Sequence, residues 1–266
     1  MHDGRVRVFI GMGGNFVAAT PDTPYTEEAL RNCDLTVHVS TKLNRSHLVT
    51  GKTALILPCL GRTEVDTQAS GAQFVTCENS MSVVTRSQGR VTPASEHLLS
   101  EPAIVAGLAT ATLTATPSVD WAHLVEDYDR IRDLIEQVIP GFEDYNGRVR
   151  EPSGFVLPNG VRDRVWNTGS GRAEFTIHPL PKIPLQEGQY LMATVRSHDQ
   201  YNTTIYGNDD RYRGIYGRRR VVMMSPDDID AGGFVEGQHV DLISHFQGEQ
   251  RRANDFVIMR QSLPSR

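Results

Sequence analysis

Cysteine is scarce in this chain of 266 residues: Cys33, Cys59 and Cys77 stand far apart, and no Cys-x-x-Cys pair occurs. Neither a zinc knuckle nor an iron–sulfur cluster is therefore expected from this chain alone. Three unpaired thiols fit reduced, mostly buried residues of a cytoplasmic protein. Long apolar runs are also missing, and the amino terminus has no charged-then-apolar pattern, so neither a membrane span nor a secretory signal is expected. A basic surplus is absent too. With 27 Lys and Arg against 32 Asp and Glu the net charge is −5, which argues against a general nucleic-acid binder. No Gly-x-Ser-x-Gly elbow occurs, which counts against a hydrolase of that class. Gly11-Met12-Gly13 begins like a dinucleotide fingerprint, but Phe16 stands where the third glycine belongs. Asp34 lies at about the right distance for a ribose-binding acid, yet an Asp just before a strand is more often a turn residue.

Hydrophobic residues make up 39% of the chain and charged residues 22%, ordinary values for a protein with a real core. The length suits one large or two ordinary domains. In the first half, Arg5–Ile10, Asp34–Ser40 and Ala54–Leu57 read as strands, the last as a continuous apolar run of the kind buried in a parallel sheet. A Gly turn follows the first strand, and Thr26 can cap a helix beginning Glu27-Glu28. This is α/β alternation, in which ligands sit beyond the carboxyl ends of the strands. Those ends carry Gly13-Gly14-Asn15, then Ser40 to Arg45, then Pro58 to Glu64. The glycines let a ligand approach the backbone; Asn15, Asn44, Arg45 and Glu64 offer hydrogen bonds to a base or ribose. Phe74–Ser80 and Met81–Thr85 read as short extended pieces, and an Ala/Thr-rich helix is expected between Glu101 and Leu113. The apolar stripe Trp121, Leu124, Val125, Tyr128, Ile131, Leu134, Ile135, Val138 predicts one amphipathic helix, capped by Ser118 and stopped by Pro140-Gly141. A Pro/Gly-punctuated segment, 146–184, reads as a connection between domains 1–145 and 185–266.

Beyond it nearly everything reads as β. The run Tyr190–Val195 predicts a strand that delivers Arg196, Ser197, His198, Gln200 and Asn202 at its end. A guanidinium fork followed by amides and hydroxyls suits a phosphate-bearing polar ligand. Arg218-Arg219-Arg220 reads as a solvated strand edge, with a contact to a ligand phosphate or to further domains as the other reading. Ser225-Pro226-Asp227-Asp228 signals a short helix ended by Gly232-Gly233. Gln238–Ser244 and Glu249–Ile258 read as strands joined by a turn at Gln247-Gly248, and the set suggests a small barrel.

These residues resemble a known family. Ser225-Pro226-Asp227-Asp228 through Gly237-Gln238-His239-Val240, and Ala193 to His198, look like signatures of the molybdopterin dinucleotide-binding domain of molybdopterin oxidoreductases. Gly13-Gly14-Asn15, Asp22, Ala29-Leu30, Asp34 and the run Ala54–Pro58 look like the α/β domain that precedes it. Thr41–His47 and Leu57–Glu64 are similar to the formate dehydrogenase H-like (YdeP-like) subgroup. The resemblance implies a parallel-sheet α/β domain followed by a double-psi β-barrel. It implies a molybdenum bis(molybdopterin guanine dinucleotide) cofactor and two-electron oxidation or reduction of a small-molecule substrate. By the same resemblance Gly13, Gly14, Asn15, Ser40, Thr41 and Asn44 contact cofactor in the first half. Arg196, Ser197, His198, Gln200 and Asn202 do so in the second.

Departures from the family pattern set the limits of that implication. Relatives are longer at the amino end, where the Cys, selenocysteine or Ser that ligates molybdenum lies, and nothing here supplies it. No catalytic or metal-ligating residue is therefore assigned in this chain. Phe16 follows Asn15 where many relatives have Pro. The chain is expected to be a carboxyl-terminal portion that works with amino-terminal domains, or with a partner subunit carrying the metal ligand. The alternative is a non-catalytic nucleotide-binding or partner-subunit module.

Overall fold

The structure, a computed structural model, describes residues 1–113 and 119–264. The chain divides into two units, Met1–Thr176 and Ile177–Arg266; the division falls within the Pro/Gly-punctuated segment.

The first unit opens with β1 (Val8–Met12), α1 (Phe16–Ala19), α2 (Thr23–Arg31), β2 (Leu35–Ser40), a 3₁₀ turn (Arg45–Leu48) and β3 (Thr53–Pro58). The three strands form one parallel sheet in the order β1-β2-β3, with Gly11 opposite His38 and His38 opposite Ile56. All three carboxyl ends therefore lie at the same side, as the alternation in the sequence predicts. The first strand starts three residues later than Arg5. Helix α2 is capped by Asp22, whose side chain accepts the Tyr25 amide, rather than by Thr26, which lies buried inside the helix. Val17, Leu30 and Val49 pack on one side of this sheet, and Val37, Val39 and Cys59 form a second cluster.

One expectation fails here. The run Ala54–Leu57 is not buried: β3 is an edge strand, and Leu55, Ile56 and Leu57 are 46%, 45% and 37% exposed. An apolar run marks a surface that favours cover, but only a packed neighbour makes it buried, and among the described strands of this sheet β2 alone has neighbours on both edges.

The unit continues with the hairpin β4 (Thr67–Gln68) and β5 (Gly71–Ala72), then β6 (Val75–Glu78) and β7 (Val83–Ser87), which pair antiparallel. Helix α3 (Glu101–Thr112) is capped by Ser100, which accepts the Ala103 amide. The residue named as the cap of the following helix, Ser118, lies outside the described residues. The expected single helix is two, α4 (Trp121–Glu126) and α5 (Tyr128–Val138), broken at an extended Asp127. Tertiary hydrogen bonds explain the break. The Tyr128 amide donates to Gln73 Oε1 at 2.9 Å, while the Asp127 carboxylate accepts the Asp129 amide at 3.0 Å and starts the second helix. After α6 (Tyr145–Arg148), β8 (Phe155–Val156) pairs with β7. Val84, Tyr145, Val149 and Phe155 form the buried core there.

In the second unit the run Tyr190–Val195 is not a strand. It has no ladder partner among the described residues, and Leu191, Met192 and Val195 are exposed. The short pair β9 (Gln200–Tyr201) and β10 (Thr204–Ile205) follows, then β11 (Val221–Met224), α7 (Pro226–Ala231), β12 (His239–Phe246) and β13 (Glu249–Arg260). The sheet order is β11-β13-β12, with β11 parallel and β12 antiparallel to β13. Gln247 and Gly248 both have positive φ, 49° and 84°, the geometry of a two-residue primed hairpin turn. Ser225 caps α7 by accepting the Asp228 amide, and Gly232 ends it, as the sequence signals. Among the described residues these strands do not close into a barrel. No helix among them is long and apolar enough to cross a membrane.

Candidate functional site

Each unit gathers part of the candidate set. In the first, β1 runs into Gly13 and Gly14, both at φ 63°, a conformation that favours glycine. A Cβ on Gly14 would meet nothing within 4 Å, so the turn faces open space. The Asn44 side chain fastens this turn to the 3₁₀ segment. Its Nδ2 donates to the Gly14 carbonyl at 2.6 Å, and its Oδ1 accepts the Ser46 amide at 2.9 Å. Asn15 Oδ1 accepts from Ser46 Oγ at 3.2 Å. Ser40 Oγ donates to the Lys42 carbonyl at 2.7 Å. Gly13, Gly14, Asn15, Ser40 and Asn44 therefore meet at the ends of β1 and β2, but the side chains of Asn15, Ser40 and Asn44 are already engaged in shaping the loops. Thr41 is exposed beside Gly61. Glu64, a candidate for a ribose, instead accepts the Gly61 and Ala94 amides at 2.6 and 2.7 Å, which hold its pKa below the usual value.

Beneath the turn lie two histidines. His38 on β2 and His47 in the 3₁₀ turn are both buried, with ring centroids 5.1 Å apart. They line a small cavity with Gly11, Gly13, Gly14, Phe16 and Ser46. The His38 pKa is lowered, first by burial and then by His47, so its ring is neutral at pH 7. The signal for His47 is present in the sequence, because Asn-x-x-His follows the spacing of a capping box. For His38 no local signal exists; only the register of β2 puts it under the Gly turn.

In the second unit Arg196, Ser197, His198, Tyr212 and Arg213 line an open cleft of about 480 Å³. Its frame is Asp210, a buried carboxylate. Asp210 Oδ2 accepts the His198 amide at 3.1 Å and Arg213 at 2.5 Å, while Oδ1 has no hydrogen-bond partner among the described residues. Burial works to raise the Asp210 pKa, but the His198 amide and Arg213 hold it below the ordinary value. The His198 ring stands edge-on to Tyr212, centroids 4.7 Å apart. Arg219 is not a solvated strand edge. It bonds Ser197 Oγ, Gln200 Oε1 at 3.1 Å and the Gly207 carbonyl at 2.5 Å. Ser197 and Gln200 are thereby held inside the loop, and Gln200 Nε2 donates to the Asn202 carbonyl at 2.9 Å. Arg196 has no hydrogen bond or ion pair among the described residues, leaving its guanidinium available at the cleft wall.

The chain is 53% identical over 270 residues to the uncharacterized oxidoreductase Rv2900c of Mycobacterium tuberculosis, a match covering 99% of this chain and 35% of the relative. The same figures hold for the uncharacterized oxidoreductase Mb2924c of Mycobacterium bovis. It is 52% identical over 244 residues to protein YdeP of Escherichia coli K12, covering 91% of this chain and 32% of YdeP. The chain thus spans about a third of the length of these curated relatives. No family model matches it.

Proposed function

We propose that this chain is the cofactor-binding part of a molybdopterin guanine dinucleotide-dependent oxidoreductase, formate dehydrogenase-like in its chemistry. Support comes from the oxidoreductase names of the mycobacterial relatives, from the sequence signatures in both units, and from the donor sets at the two clefts. One observation carries the reading: Arg196, a guanidinium with no partner among the described residues, stands with Arg213 at the wall of an open cleft whose volume suits a nucleotide fragment. The donor set fits the cofactor. Arg196 would take its phosphate oxygens, the His198 ring its flat portion, and the open Gly13–Gly14 turn gives a ligand close access to backbone. Asn15, Ser40, Asn44, Ser197 and Gln200 act one step behind, fixing the loops that present those groups. When bound, the cofactor supplies two-electron transfer at molybdenum; this chain's residues bind and orient it.

The second reading is a non-catalytic nucleotide-binding or partner module, favoured by how many candidate side chains are committed to loop structure. Titrating guanosine 5′-diphosphate into wild-type protein and Arg196→Ala tests the first reading. A loss of at least about tenfold in affinity is expected for one removed charge-assisted contact. Equal affinities would remove Arg196, and with it the main support.

A further inference from the structure

Strand β3 closes one side of the first sheet with an edge that no described residue covers. All six of its residues, Thr53-Ala54-Leu55-Ile56-Leu57-Pro58, are exposed, whereas β1, at the opposite edge, packs Phe9 and Met12 against the two buried clusters. The Thr53 amide donates to the Asp34 carbonyl, next to β2, at 3.0 Å. Main-chain groups of a strand point to alternate edges, so Thr53, Leu55 and Leu57 bond β2, while the N–H and C=O of Ala54 and Ile56 point to the open edge. Those groups have no hydrogen-bond partner among the described residues. Pairing resumes only beyond the strand, where the Leu60 amide donates to the Leu99 carbonyl at 3.0 Å.

Proteins blunt their free strand edges with charge, proline or a bulge. β12, an edge of the sheet in the second unit, carries Asp241 and a register shift between Val240 and Leu242. From Thr53 to Leu57 β3 carries no charge, and Lys52 before it is held by Asp34 at 2.8 Å. Both faces of β3 are apolar as well. Leu55 and Leu57 lie beside Val37 and Val39, and Ala54 and Ile56 beside Thr36 and His38. Ile104 of α3 reaches the first face and the cluster of Val17, Leu30 and Val49 the second, yet Leu55 and Ile56 stay 46% and 45% exposed. A strand that is apolar on both faces belongs inside a parallel sheet.

The occupant of this edge must therefore supply a strand and cover two faces. A second copy of this chain, pairing β3 with β3 about a two-fold axis, would satisfy the edge alone, because each copy leaves its own faces open. A strand connected through helices does both, since crossover helices lie on the faces of the sheet they extend. The relatives have polypeptide for it: this chain matches 35% of the length of Rv2900c. We propose that β3 is a docking edge at which the part of the longer protein outside this chain adds a further strand, with its helices over Leu55 and Ile56. The burial expected of Ala54–Leu57 is then met in the longer protein. The inference is independent of which cofactor the chain binds.

Residue-resolved amide exchange on the full chain and on full-length Rv2900c tests it. In this chain the Ala54 and Ile56 amides are expected to exchange at least about a hundredfold faster than those of Leu55 and Leu57. At the aligned positions of Rv2900c all four are expected to be slow. A second readout addresses the faces. Ile56→Lys is expected to leave the melting temperature of this chain within about 1 °C, and the same change at the aligned position of Rv2900c to lower it by at least about 3 °C. Fast exchange at the aligned edge amides of Rv2900c, or equal shifts for the two variants, would overturn the docking edge. Protection in this chain that grows with its concentration, together with dimers in sedimentation, would assign the edge to a second copy. Protection at every concentration would place the cover inside this chain. Either of these last results overturns the proposal.

Discussion

At the residue scale, the polar groups that matter most are those buried inside the fold. His38 is one. Its pKa is depressed by burial and by His47, so below the ordinary value of 6.5 the unfolded chain takes up a proton that the native chain refuses. Native stability from this group is complete above pH 6.5 and falls as the pH drops through it. Urea midpoints are expected to decrease between pH 7.5 and 5.5, and His38→Gln is expected to flatten that slope. An unchanged slope would show that another group governs it. The acids with lowered pKa, Asp34 among them, act lower in pH and do not imitate this effect, because each loses its partner's benefit only in the carboxylate range. Tyr128 is a second such residue. Its hydroxyl donates to Asp66 Oδ2 at 2.5 Å and shares a 2.6 Å hydrogen bond with Ser100 Oγ, tying α5 to the cap of α3. Burial, and then the bond to Asp66, push the phenol pKa far up, so it stays protonated. Tyr128→Phe leaves Asp66 and Ser100 each short of a partner and is expected to cost about 1–3 kcal/mol in urea unfolding.

At the element scale, what is legible in the sequence is what local chemistry decides. Ser225-Pro226-Asp227-Asp228 caps and starts α7, and the Gln247-Gly248 turn sets the register of the β12–β13 hairpin. Ser225→Ala removes a buried cap whose Oγ accepts the Asp228 amide at 3.0 Å. It is expected to cost about 1 kcal/mol, read as faster amide exchange at Asp228 and Ile229 than elsewhere in the unit. The parallel strands β1 to β3 are legible from alternation, but the exposure of β3 is not, because periodicity reports what a strand would bury and not whether a neighbour is present. The break at Asp127 is hidden for a similar reason. The apolar stripe runs straight through it, and only the long-range bond from Tyr128 to Gln73 diverts the backbone. The same limit applies to the site. Residue type marks Asn44, Ser197 and Gln200 as ligand-binding groups, whereas their hydrogen bonds to Gly14 and Arg219 engage them within the fold. Arg196 and Arg219 are indistinguishable by type; their surroundings alone separate an available guanidinium from an internal one.

At the scale of the whole molecule, the chain is two units joined by a stretch with little to protect it. Phe175, Ile177 and Leu180 are 92%, 93% and 90% exposed and belong to no helix or strand. Limited proteolysis is expected to cut between residues 172 and 185 before it cuts within β12–β13 or the β1–β3 sheet. Early cleavage inside either sheet would contradict the division. The relatives are about three times as long, so substrate choice is a question for the longer protein, and the proposal for this chain is narrower: that it binds the cofactor. Equilibrium dialysis of the purified chain against molybdopterin guanine dinucleotide tests that claim directly, with retained pterin and guanine quantified after denaturation. The account predicts saturable retention of both in equal amounts, reduced in Arg196→Ala. A folded chain that retains neither pterin nor guanine at any concentration would contradict it.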